Sequence, residues 1–151
     1  MIRRLFATGV ILMSLQGVFG ETAKGTFAVK MQPMAMEEQE PGSMIGRMSI
    51  DKAFHGDLEA TSKGEMIAAR TAVKDSAGYV AIEKVTGSLA GRTGTFVLQH
   101  TGTMVGGKQD LTITVVPDSG TGALTGLAGK MAIVIENKQH FYEFSYTLPA
   151  R

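Results

Sequence analysis

A chain of 151 residues, 44% of them hydrophobic, suits one domain with a single core. A formal charge of +1 offers no basic stripe for nucleic acid, and the absence of cysteine excludes disulfides, a thiol nucleophile, thiolate zinc sites and a lipoprotein anchor. Glycine (19) far outnumbers proline (4), so tight turns are expected in place of stiff linkers.

In chain order, the first twenty residues, MIRRLFATGVILMSLQGVFG, combine two arginines, an apolar run from Leu5 and small residues before Glu21. That is the layout of a signal peptide, with Val18 and Gly20 at the positions signal peptidase reads and cleavage after Gly20. The apolar run is shorter than the ~20 residues a membrane span needs. The expectation is therefore a periplasmic or secreted domain over residues 21–151, with no membrane attachment once the leader is removed.

Strand-like segments follow. GTFAVKM (25–31) opens the series, and QPMAMEEQEPGSM (32–44) reads as an exposed loop. IGRMSIDKAF (45–54) alternates as a half-buried strand does, HGD (55–57) turns, and LEATSKG (58–64) and EMIAARTAV (65–73) read as two further strands. After KDSAG (74–78), strands are expected at 79–89, 95–104, 110–116, 130–136 and 140–148, joined by glycine turns and by the long PDSGTGALTGLAG. Short strands without an obvious helix indicate an all-β antiparallel sandwich or barrel, and closure into a barrel would remove exposed edges.

Register gives these strands two faces. If Leu89 faces Phe96, then Tyr79, Glu83, Val85 and Leu89 share a face with Phe96, Leu98, His100 and Met104. If Ile135 faces His140, then Met131 and Ile133 join Tyr142, Phe144, Tyr146 and Leu148. The larger apolar residues make these the inner faces. A buried carboxylate must be paired, hydrogen-bonded, protonated or wet, so Glu83 and His100 read as cavity lining. Outward apolar residues such as Val80, Ile82 and Val97 suggest a homo-oligomer.

GYVAIEKVTGSLAGRTGTFVLQHTGTM (78–104), VVPDSGTGALTGLAGKM (115–131) and HFYEFSYTL (140–148), with DKAFHGDLEATSKGEM (51–66) before them, resemble the signature blocks of a bacterial domain-of-unknown-function family (number thirty-two twenty-four). The resemblance spans residues 25–148 and implies a single eight-stranded antiparallel barrel of the calycin type, similar to allene oxide cyclase and the lipocalins. It implies no reaction. Many members carry a tryptophan soon after the first strand; this chain has none, and Met31 and Met34 stand thereabouts.

These residues support an exported module that binds a small, partly apolar or lipid-like ligand inside the barrel. The ligand-binding candidates are Arg70, Tyr79, Glu83, His100, Tyr142 and Tyr146. Glu83 and His100 are also the candidates for general acid and base work in an isomerase or cyclase similar to allene oxide cyclase. The third alternative is a structural protein whose barrel is filled by its own side chains. Arg92 reads as a solvated turn residue. SGTGALTGLAG lacks the Gly-Lys-Ser/Thr ending of a phosphate loop. His55, His100 and His140 show no ligand spacing, and the thioethers of MQPMAM (31–36) read as an apolar loop more readily than as a copper site. No cofactor and no metal are expected.

Overall fold

The computed structural model describes residues 20–36 and 44–150. The proposed leader, up to its last residue, and the acidic centre of the first long loop lie outside the described residues. Eight antiparallel strands close into a barrel in sequence order: β1 (Glu21–Met34), β2 (Ile45–Gly56), β3 (Leu58–Arg70), β4 (Ala77–Leu89), β5 (Arg92–Val105), β6 (Lys108–Val115), β7 (Ala128–Glu136) and β8 (Gln139–Thr147). One 3-10 turn, Gly122–Leu124, interrupts the β6–β7 connection. The all-β, eight-stranded barrel is thus the architecture.

Three details depart from the sequence reading. The segments 58–64 and 65–73 merge into one strand, β3, which ends at Arg70 and whose register runs unbroken through Lys63↔Lys84, Gly64↔Glu83 and Glu65↔Ile82. Gly64 is there because β4 comes close: a Cβ on it would stand 2.7 Å from the Glu83 Cα and 2.9 Å from its Cβ. Secondly, β1 continues through Pro33 to Met34, past the end of the expected strand at Met31. Pairing with β8 ends at Phe27↔His140, so Pro33 meets only β2 and its missing N–H costs no ladder bond on the free edge.

Thirdly, Leu89 faces Arg92 and not Phe96, whose partner is Val85. A two-residue turn makes the hairpin tighter than expected, with Ala90 and Gly91 both at positive φ (47° and 77°). The displacement is an even number of residues, so every side chain keeps its face. The second hairpin has the expected register, Ile135↔His140, around Asn137 and Lys138.

The two ends of the barrel differ. At one end Phe54, Leu58, Leu89, Phe96 and Phe144 pack to essentially zero exposure with Leu124 and Leu127 of the β6–β7 connection. That connection is tied across the end by Thr121 N–H to Thr95 O (2.8 Å) and by Arg92, whose Nε donates to Ala123 O (3.0 Å) and Nη1 to Pro149 O (3.2 Å). Arg92 is therefore a clamp on backbone carbonyls, which explains its place in an otherwise permissive turn. The other end, where residues 71–76, 106–107 and 137–138 connect the strands, is open. The wall is also uneven: β6 and β7 are joined only at Ile113↔Met131 and Thr114↔Lys130. Toward the open end their facing edges have no partner strand among the described residues.

Outside the barrel, Ile67 and Val80 are cross-strand partners, each about half exposed, with Ile82 beside them. Val97, expected in the same stripe, is partly covered.

Candidate functional site: a half-filled barrel with a buried Lys–Glu–His cluster

Inward positions follow from alternation. On β2 they are Ile50, Lys52 and Phe54; on β4, Tyr79, Ala81, Glu83 and Val85; on β5, Phe96, Leu98, His100 and Gly102. A band of polar groups thus crosses four adjacent strands above the apolar plug: Lys52, Ser62, Glu83 and His100, all buried. Lys52 lies directly across from Ser62 and Gly64 directly across from Glu83, so the four are neighbours on one inner wall.

Glu83, with no exposure, is the centre. Lys52 Nζ donates to its Oε2 at 2.6 Å. The same ammonium sits 5.2 Å and 5.7 Å from the ring centres of Phe27 and Phe54, which stabilise it through their negative faces. His100 Nε2 approaches the same Oε2 to 3.3 Å, but not along its N–H, so the nitrogen has no hydrogen-bond partner. Burial alone would push the Glu83 carboxyl up; the His100 ring and the Lys52 ammonium more than reverse this and hold it down at about 2. Of the two, Lys52 has the shorter and better aimed contact. Glu83 Oε1 and Ser62 Oγ, like His100 Nε2, are buried without a hydrogen-bond partner among the described residues. Orphaned polar groups concentrated in one band are costly and mark a place where structure alone does not account for the sequence.

Above this band, toward the open end, lies a cavity of about 630 Å³. Lys52 and His100 reach its surface; Glu83 stands behind them and does not. Phe27, Ile50, Met66, Met104, Leu111 and Ile133 give it apolar walls, Tyr79 sits on one side and Arg70 at the mouth. Burial, reinforced by the Glu83 charge, raises the Tyr79 hydroxyl's pKa, so it remains a donor. Its ring lies against β5 at Gly102, where an added Cβ would come within 2.9 Å of ring atoms.

Of the sequence-derived candidates, the structure therefore brings Arg70, Tyr79 and His100 to the cavity and places Glu83 immediately beneath it. Tyr142 and Tyr146 share the inner face but lie toward the plugged end, and neither lines the cavity. The Tyr142 hydroxyl accepts from Leu58 N–H (2.9 Å) and donates to His55 O (3.4 Å). That of Tyr146 donates to Glu21 Oε2 (2.7 Å), and burial with this carboxylate pushes its pKa to about 12. A shared face fixes direction but not height along the axis: Tyr146 ties β8 to β1, and Tyr142 ties β8 to the β2–β3 turn. His140 also lines the cavity, its ring tilted against that of Phe27 with centres 5.0 Å apart. His55 is at the surface beside Glu59. No three His, Cys, Asp or Glu side chains among the described residues are grouped to hold a metal. Side chains fill the interior at the plugged end, and the cavity occupies the other half.

Lys52 escaped the sequence reading. Its signal was present: Ile50, Lys52 and Phe54 alternate on one face of a recognised strand, and a lysine between two core residues needs a buried counter-charge.

The fold and cavity together define an antiparallel eight-stranded barrel with one open end and a charged band in its interior. The chain belongs to the DUF3224 family, described as a protein of unknown function, whose model matches residues 23–146. A similar solved structure is that of a protein with unknown function from the DUF3224 family of Shewanella oneidensis MR-1: it is 54% identical, with a TM-score of 0.82 over 87% of this chain and 99% of that one. No curated protein matches the chain.

Proposed function

We propose that the protein is a binding module for a small amphipathic ligand, held in the open half of the barrel with its apolar body against Phe27, Ile50, Met66 and Met104 and a polar group toward Lys52 and His100. The observation that carries this reading is the 630 Å³ cavity whose floor is a buried ion pair with unpartnered polar atoms around it. Its volume lies inside the range of about 300–1,000 Å³ usual for small-molecule sites, and apolar walls with a few convergent polar groups are their usual makeup. Arg70 at the mouth adds a guanidinium able to meet a carboxylate or other anionic end of such a ligand. The leader supports export, so the ligand would be one met in the periplasm or outside the cell.

Native mass spectrometry of the protein purified from its host's exported fraction tests this directly. A reproducible small molecule should co-purify with the wild type, raise its melting temperature on re-addition, and be lost from His100→Ala and Glu83→Ala. N-terminal sequencing of the same sample should begin at Glu21. A protein that is bare under these conditions, and whose melting temperature does not respond to extracts of that fraction, would overturn the reading.

A further inference from the structure

We propose that His100 is a general base aimed into the cavity, with Glu83 as its positioning residue, and that the site moves protons on a bound carbonyl compound. This rests on the cavity reading above and goes beyond it, from holding a ligand to shifting a double bond within it.

The two nitrogens of the His100 ring have different surroundings. His100 is almost wholly buried, lines the cavity, and turns Nε2 toward Glu83 Oε2 at 3.3 Å. An ionised carboxylate only accepts hydrogen bonds, so the nitrogen facing it carries the hydrogen. The lone pair of the neutral ring is then on Nδ1, which makes no hydrogen bond among the described residues and, unlike Nε2, is not fully buried, on a ring that lines the cavity. A carboxylate behind a histidine fixes its tautomer and stabilises the imidazolium when the other nitrogen takes a proton. The Nε2 contact is off-line here; such contacts tighten when a substrate is bound.

The surrounding charges favour a particular reaction. Lys52 and Glu83 cancel, so protonation of His100 would leave the band one positive charge in excess. A proton taken from a carbon next to a carbonyl leaves an enolate, whose negative charge restores balance beside the Lys52 ammonium, which spends one of its three hydrogens on Glu83. The Tyr79 hydroxyl, kept protonated by burial, is a second donor on the same wall. The step balances without a co-reactant. The α C–H bond breaks, its proton goes to Nδ1 and the electron pair to the carbonyl oxygen. Return of the proton to the γ carbon of a β,γ-unsaturated ketone then gives the conjugated isomer. No oxidant, metal or leaving group takes part, and the chain, with no cysteine, holds no thiol nucleophile for competing chemistry.

Two measurements test it. In protein carrying nitrogen-labelled histidine, the neutral His100 ring should show hydrogen on Nε2 and a bare Nδ1; the opposite tautomer overturns the proposal whatever the substrate. The second uses unconjugated cyclohexenone and a short series of open-chain β,γ-unsaturated ketones, with labelled Met66 and Met104 methyls reporting entry into the cavity. A ketone that enters should isomerise, and exchange its α protons in heavy water, at least about a hundredfold faster than in buffer, the usual scale of such catalysis. His100→Gln should abolish this. Glu83→Gln should lower the rate and alter its pH profile with the ketone still bound; if that variant does not fold, Glu83→Asp replaces it, keeping the charge that balances Lys52 while drawing the carboxylate back from His100. A ketone that enters and neither isomerises nor exchanges overturns the base and leaves the binding reading standing. Failure of the whole series to reach the methyls also overturns it, while the binding reading is decided separately by co-purification.

Discussion

Glu83 is a carboxylate with no exposure whose pKa in the folded chain, about 2, lies below the 4.5 of an unperturbed side chain. A depressed pKa means that the ionised form is favoured by folding. The stability it contributes is fully present above the unfolded value and is lost as pH falls from about 4.5 toward 2. The difference corresponds to a few kcal/mol, on the order of 1.4 per pKa unit. Protonation at low pH would also leave Lys52 charged, buried and unpaired, which adds to the loss. Urea unfolding at stepped pH should therefore show a steep fall in free energy across this window. A charge-free variant, Lys52→Met with Glu83→Met, should show a distinctly shallower fall there. Parallel curves for the two proteins would mean that the ion pair does not govern acid stability. Alternation and register exposed the inward Glu83 and His100 in the sequence because each lies between apolar residues of one face. Lys52 meets the same test, lying between Ile50 and Phe54, but that it reaches Glu83 follows only from the pairing of β2 with β3 and of β3 with β4.

At the scale of elements, the same pairing explains why a glycine can be misread. Gly64 after Lys63 looks like a turn in sequence, yet it lies within β3, where the close approach of Glu83 leaves no room for a side chain. Sequence shows that a glycine is needed, and only the neighbouring strand shows whether the need is bending or closeness. Hairpin register was readable to its parity, since an even displacement preserves faces, while the exact Leu89↔Arg92 pairing depended on the positive φ of Ala90. The β6–β7 contact was not legible at all, because a long connection sets no register. With pairing confined to Ile113↔Met131 and Thr114↔Lys130, amides of 108–112 and 132–136 that face this seam have no acceptor strand among the described residues. Unpartnered edge groups exchange with solvent at a low opening cost. Hydrogen–deuterium exchange followed by mass spectrometry should find fast-exchanging amides in these two stretches, against full protection of β4 and β5. Uniform protection around the barrel would show that the seam closes in solution.

For the whole molecule, the plugged and open halves divide stability from binding. Phe96, Phe144, Leu58 and Leu89 are sealed between the strands and the Leu124–Leu127 segment, so truncation there removes buried contacts and leaves a void. Phe96→Ala should cost about 3–5 kcal/mol. Met66 and Met104 face a space that already exists, and each is only partly buried, so their truncation enlarges a cavity without opening one in a packed core. Met66→Ala and Met104→Ala should each cost about 1 kcal/mol or less, within the ordinary range for substitutions away from tightly packed sites. The same two variants should change ligand affinity or preference, because thioethers are adaptable wall groups and their loss reshapes the volume offered. Denaturant unfolding measures the first quantity, and melting-temperature shifts with the co-purified ligand measure the second. If the methionine variants proved as damaging to stability as Phe96→Ala, the open half would be a collapsed core in solution. The charged band would then lie at the middle of one continuous interior, where its orphaned atoms would have no ligand to meet.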